Sequence, residues 1–138
     1  MAGRDTRTGE VLEQMVLPAL TRGGYQYRTR VDIGQRLGLG RHIVDVLAQK
    51  EEKRYLISLK WQQVSGTAEQ KVPFEVICLS DALQEGSFDK AYVVLGGEGW
   101  RLREFYTSGG LARHLTSAGL VNIITLERFV ALANQGDL

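Results

Sequence analysis

The chain opens with apolar residues at helical spacing. Val11, Leu12, Met15, Val16 and Leu20 form one stripe and predict a helix over residues 6–22. Thr8 is its expected cap, Pro18 the expected bend in its last turns, and Gly23-Gly24 its stop. From Tyr25 to Val31 the pattern changes to alternation, which predicts a strand. Gly34, Gly38 and Gly40 break the next stretch into an expected loop. Two apolar runs, 41–49 and 54–61, then form a hairpin about the polar turn Lys50-Glu51-Glu52-Lys53. A polar loop, 62–68, leads into a helix over residues 69–85. Val72, Val76, Leu79 and Leu83 are its apolar stripe, and Pro73 is tolerated in its first turns. Ala91–Leu95 reads as a core strand and Gly96–Gly99 as a tight loop. Short helices at 100–106 and 109–118, a strand at 121–124 and a helix capped by Thr125 and running to residue 134 complete the chain.

This order predicts an α/β fold with a mixed central β-sheet flanked by helices. A right-handed crossover through helix 69–85 makes strand 91–95 parallel to strand 54–61. Side chains alternate faces along a strand. Ile43, Asp45 and Leu47 are therefore expected on one face, as are Leu56, Ser58 and Lys60, while Tyr55, Ile57, Leu59 and Trp61 make an apolar face that packs on helices. Charged groups in apolar strands are costly unless they are paired or bind a metal. Asp45 and Lys60, on adjacent strands, therefore suggest a shared task. A carboxylate and a lysine converging at a sheet edge can hold Mg²⁺ and a phosphate. Glu75, fifteen residues after Lys60, falls near the buried side of the next helix, at the end nearest Lys60.

Composition narrows this further. A chain of 138 residues, 43% hydrophobic, fits one domain, residues 1–138, with one core. The net charge is +1, so overall balance does not mark a nucleic-acid binder. Locally, Arg28, Arg30, Arg36, Arg41 and His42 face a single acid, Asp32, and make a modest basic patch. Cys78 is the only cysteine, which excludes an internal disulfide and a multi-cysteine zinc site; between Ile77 and Leu79 it reads as packing. No apolar run approaches the roughly 18 residues of a membrane span, and no signal-peptide core follows the N-terminus, so a cytoplasmic protein is expected. Gly96–Gly99 lacks the spacing and following Lys-Ser/Thr of a phosphate loop. Trp61 and Trp100 read as packing residues. His42 and His114 stand alone and receive no role.

The helix, the hairpin carrying Asp45 and Ser58-Leu59-Lys60, the following helix and the strand after it together resemble the PD-(D/E)XK nuclease superfamily over residues 8–95. Two positions depart from the usual pattern: Ser58 stands where an acid is common, and Val44 where a proline is common. The chain is similar in this to restriction enzymes of CCGG-type sites, which carry Ser-x-Lys on the strand and the second carboxylate on the following helix. The resemblance implies a restriction-endonuclease-like fold. It implies Asp45 and Glu75 as ligands of Mg²⁺, with Mn²⁺ as a substitute, Lys60 as the group that orients or deprotonates the attacking water, and Ser58 as a hydrogen-bond donor behind them. Glu10 resembles the first-helix glutamate that many members place outside the metal's direct ligands, and Gln62 and Gln63 fall where some members place a glutamine near metal or phosphate. Arg28, Arg30, Arg36, Arg41 and Lys71, with the two glutamines, are the expected DNA contacts. The implied activity is a metal-dependent DNA endonuclease of restriction or homing type that leaves a 5′-phosphate and acts as a homodimer or homotetramer. A structure-specific nuclease, such as a junction resolvase or repair endonuclease, shares this chemistry. An inactive DNA-binding or assembly subunit is the reading that Ser58 keeps open.

Overall fold

The structure, a computed structural model, describes residues 6–138. The first helix runs unbroken through α1 (Thr6–Val11), a π-helical turn (Leu12–Val16) and α2 (Leu17–Arg22). Thr8, expected as a cap, lies inside α1. The wide turn falls just before Pro18, which lacks an N–H and crowds the carbonyl four residues back. The sheet follows as β1 (Gln26–Arg36), β2 (Leu39–Lys50), β3 (Lys53–Trp61), β4 (Lys90–Gly96) and β5 (Val121–Thr125), in spatial order β1-β2-β3-β4-β5. The first three strands pair antiparallel; β4 is parallel to β3 and β5 to β4. The helix α3 (Ala68–Gln84) makes the crossover from β3 to β4. Where two short helices were expected, the chain forms α4 (Arg103–Thr107) and two 3₁₀ turns, Gly110–Arg113 and Ala118–Leu120, around left-handed Gly109 and Ser117. Thr125 caps α5 (Leu126–Gln135) by accepting the Arg128 N–H. Among the described residues no helix is long and apolar enough to cross a membrane.

Two apolar layers sandwich the sheet. Tyr55, Ile57 and Leu59 of β3 pack with Val16, Ala19, Leu20 and Phe129 of the N- and C-terminal helices. Leu56 of β3 and Val93 of β4 pack with Val72, Val76 and Leu79 of α3. The expected apolar face of β3 is thus the one turned from α3.

The glycine-rich stretch is a long hairpin, not a loop. Only Leu37 and Gly38 separate β1 from β2, and the irregular register between Asp32 and Arg36 is taken up by left-handed Gly34, Gly38 and Gly40. This hairpin also corrects the expected facing of β2. Val46 and Ala48 belong to the layer away from α3, yet Val44 joins Leu47 in the α3 layer. Residues two apart should share a face, so the strand changes faces at Asp45. In β1 the change falls between Thr29, paired with Val46, and Val31, paired with Val44. Arg30 lies between them with φ 51°, a left-handed conformation that costs a non-glycine residue roughly 1–2 kcal/mol. As a result Ile43, expected beside Asp45 and Leu47, is exposed.

The start of α3 is fixed by a second device. Pro73 is the sixth residue of α3, past the first turn, and leaves the Glu69 carbonyl without its helical partner. The buried Tyr106 hydroxyl of α4 donates to that carbonyl at 2.7 Å. Tyr106→Phe should therefore cost about 1–3 kcal/mol in denaturant unfolding, the range for an orphaned buried acceptor. In a Pro73→Ala background the alanine N–H can serve Glu69, and the cost should shrink. Equal costs in both backgrounds would refute this pairing.

Candidate active site

The β2–β3 ladder runs from Lys50 opposite Lys53 to Val46 opposite Ile57 and then stops. Asp45 is the next residue of β2. Its Oδ2 accepts the Leu59 N–H at 2.6 Å, so a carboxylate takes a main-chain donor of β3 where the two strands part. Ser58, the residue before Leu59, is buried and donates its hydroxyl to Glu75 Oε2 at 3.0 Å. Asp45 and Glu75 thus flank Ser58, one against the peptide group that follows it and the other against its side chain.

Glu75 is the centre of the cluster. Lys60 Nζ reaches the same Oε2 at 3.2 Å. His42, only 3% exposed, places Nε2 2.9 Å from Oε1. Two hydrogen-bond donors, His42 and Ser58, and the Lys60 ammonium therefore converge from β2 and β3 on one carboxylate of α3. Burial pushes the Glu75 carboxyl up, but the His42 hydrogen bond, the Lys60 charge and the Ser58 hydroxyl together outweigh it and hold the group down at about 2. The Lys60 side chain keeps about a quarter of its surface exposed, so its ammonium pairs with Glu75 while still meeting solvent.

Of the sequence-derived candidates, the structure brings Ser58, Lys60 and Glu75 into contact and sets Asp45 beside them. His42 was passed over as isolated, yet it is part of the cluster. The face change at Asp45 turns the distal half of β2 toward α3, and no residue type at Arg30 or Asp45 announces that change. Glu10 is exposed on α1, and among the described residues no hydrogen bond or ion pair joins it to the cluster. Arg28, Arg30, Arg36, Arg41, Gln63 and Lys71 are exposed. Arg36 lies over the ring of Phe74, the residue before Glu75, at 5.7 Å.

Gln62 departs from its expected role. It is buried, its amide nitrogen donates to Glu69 Oε1 and the Gly99 carbonyl, and its amide oxygen accepts the Ala68 N–H. All its polar atoms are engaged inside the fold, so it is not offered to phosphate. Glu69 completes this brace by accepting the Arg101 and Leu102 N–H groups. Burial pushes its carboxyl up, and those backbone donors with Gln62 bring it below the ordinary value. The glycine loop has its reason here too: a Cβ on Gly97 would meet the Gln62 carbonyl oxygen at 2.4 Å and one on Gly99 the Val64 backbone at 2.5 Å. The segment after Lys60 is thus clasped against the loop after β4.

The donor set suits a hard cation. Asp45 and Glu75 offer oxygen, and Mg²⁺ commonly takes one or two carboxylates with water and substrate phosphate. Among the described residues no group of three or more His, Cys, Asp or Glu side chains is placed to hold a metal.

A mixed sheet whose antiparallel hairpin carries Asp45 and Ser-x-Lys, followed by a crossover helix that supplies Glu75, defines a restriction-endonuclease-like fold. The chain belongs to the PD-(D/E)XK nuclease superfamily, whose domain model matches residues 4–136. Among solved structures it is similar to the crystal structure of a protein of unknown function, AF1548, with a TM-score of 0.51 and 13% identity, over 80% of this chain and 54% of that one. That likeness shows the fold alone, and this chain spans about half of the other's length. A search of curated proteins finds no match.

The charge balance at Glu75 has a measurable sign. Its folded value, about 2, lies below the ordinary 4.5. It therefore contributes stability that is complete above the unfolded value and is lost as pH falls through about 2. In chelator, the stability difference between wild type and Glu75→Gln should narrow by about 3 kcal/mol between pH 5 and pH 2. A difference that stays constant across this window would show that the carboxylate is not so held.

Proposed function

We propose that the protein is a Mg²⁺-dependent DNA endonuclease that hydrolyses phosphodiester bonds by direct attack of water. The observation that carries this reading is the convergence of Lys60, Ser58 and Glu75 beside Asp45 where β2 and β3 part. Asp45 and Glu75 would hold the cation, which supplies positive charge at the scissile phosphate and makes water a better acid. Lys60, fixed by Glu75 and open to solvent, orients the attacking water and offsets the negative charge that develops on the phosphate. Ser58 holds Glu75 and touches no reacting atom.

A concavity of about 560 Å³ lies along the outer edge of β5 and none of the cluster's residues line it, whereas Lys60 meets solvent at the surface. A polymer laid across the surface can reach it. The exposed Arg28, Arg30, Arg36 and Arg41 line the hairpin that also carries Asp45 and His42, which favours a polyanion there. One site cuts one strand, so a double-strand break calls for a symmetric dimer or tetramer.

Plasmid nicking in Mg²⁺ tests the chemistry. Asp45→Ala, Lys60→Ala and Glu75→Ala should each lose at least about 100-fold in rate with folding retained. Wild-type inertness in both Mg²⁺ and Mn²⁺, on plasmid, random duplex and four-way junctions alike, would turn the reading to a noncatalytic subunit. Binding tests the surface separately. Each arginine-to-alanine change at 28, 30, 36 or 41 should weaken random-duplex binding and lower the slope of log affinity against log salt by about 1. Unchanged slopes in all four would remove this hairpin from the DNA.

A further inference from the structure

His42 is buried, polar and unassigned by the proposed chemistry, and it touches the one carboxylate on which that chemistry depends. The lone pairs of Glu75 show what it could do. A carboxylate has about four acceptor positions, two on each oxygen. Oε2 accepts the Ser58 hydroxyl and forms an ion pair with the Lys60 ammonium at 3.2 Å. Among the described residues Oε1 takes His42 alone. A cation approaching Oε2 would meet the like charge of the Lys60 ammonium, so the open acceptor position of Oε1 is the side of Glu75 that favours a metal.

We propose that His42 is a positioning residue for the cation: by donating from Nε2 to Glu75 Oε1 it fixes the oxygen that, with Asp45, receives the divalent metal. This rests on the nuclease reading above and adds a residue to it. The support is geometric. Without His42, Oε1 would have no protein donor among the contacts of the cluster, and the carboxyl would be held through Oε2 only. A carboxylate held at both oxygens from β2, β3 and α3 has its plane and direction set; one held at a single oxygen can turn about its terminal bond. Such an anchor commonly changes metal affinity by 10–100-fold when removed. His42 reaches Glu75 only because the hairpin changes faces at Arg30 and Asp45, so the strained Arg30 backbone has a consequence at the site.

The full-length protein can be titrated with Mn²⁺ alone and free Mn²⁺ read by electron paramagnetic resonance, with no DNA present. His42→Ala should weaken Mn²⁺ binding about 10–100-fold. His42→Gln places an amide donor near the position of Nε2 and should recover most of that affinity. His42→Asn places its donor near the position of Nδ1 and should not. In nicking assays His42→Ala and His42→Asn should need more Mn²⁺ for half-maximal rate, while His42→Gln should stay near the wild-type requirement and keep the plateau rate. The proposal is overturned if His42→Ala binds Mn²⁺ like wild type, or if folded His42→Gln binds as weakly as folded His42→Asn. If the alanine variant fails to fold, the glutamine–asparagine comparison decides alone; if those two also fail to fold, His42 is a packing residue and the proposal falls. A wild-type protein that binds Mn²⁺ and nicks DNA while His42 variants do the same rejects this inference and leaves the nuclease reading standing. A wild type that binds no Mn²⁺ rejects both.

Discussion

A carboxylate taken out of water must be given donors, and in this protein the arrangement around Glu75 follows from that demand. The group lies on α3 against the sheet, where an unpaired charge would be costly. Its three partners come from two strands, so the contacts that satisfy it also fix α3 over the place where β2 and β3 part. Asp45 does the complementary job inside the sheet by taking the Leu59 N–H that the departing strand no longer serves. Each acid at the site therefore also settles a local structural problem, so removing either takes away a local hydrogen bond as well as a charge while the two apolar layers that hold the fold remain.

The neighbouring brace explains how such a site stays in place at the end of a strand. Lys60 is followed by a loop, and loops are where positions drift. Here Gln62 commits its amide nitrogen to Glu69 and Gly99 and its amide oxygen to Ala68, while Glu69 holds the main chain at Arg101 and Leu102. Tyr106 then occupies the carbonyl that Pro73 leaves open. Four segments, the ends of β3 and β4, the start of α3 and α4, are thereby tied together. The glycines at 97 and 99 allow this because side chains there would strike the Gln62 and Val64 backbone.

Much of this could be read from the sequence, for physical reasons that also mark where reading fails. Helices and strands with one buried face show their period, so the order of elements and the parallel pairing of β3 with β4 were accessible. Ser58, Lys60 and Glu75 were accessible because charged and polar residues stand out in apolar runs. His42 was not. Its place depends on a face change at Arg30 and Asp45, and strict alternation assigns every residue beyond that point to the wrong side. Arginine is not the residue type that announces a left-handed backbone, whereas Gly34 and Gly38 do so and were over-read as a loop. Gln62 failed for the opposite reason: a polar residue in a polar segment looks exposed until its partner, seven residues away in Glu69, is brought to it by the turn into α3.

The serine in Ser-x-Lys follows from the same geometry. Its hydroxyl is 3.0 Å from Glu75 Oε2. A carboxylate at residue 58 would set two negative groups at about that separation, and like charges so close do not both ionise. The strand acid and the helix acid are therefore alternatives at this point in space, and Ser58 is the neutral donor that the helix acid requires. This bears on whether the substitution marks a disabled site. A chain with no use for negative charge here could fill the space under α3 with an apolar side chain, which is often no less stable than a buried ion pair. This one instead keeps a buried carboxylate, three partners to hold it and a strained hairpin that delivers one of them. That combination supports the proposed reading, in which the carboxylate has moved within the site to α3.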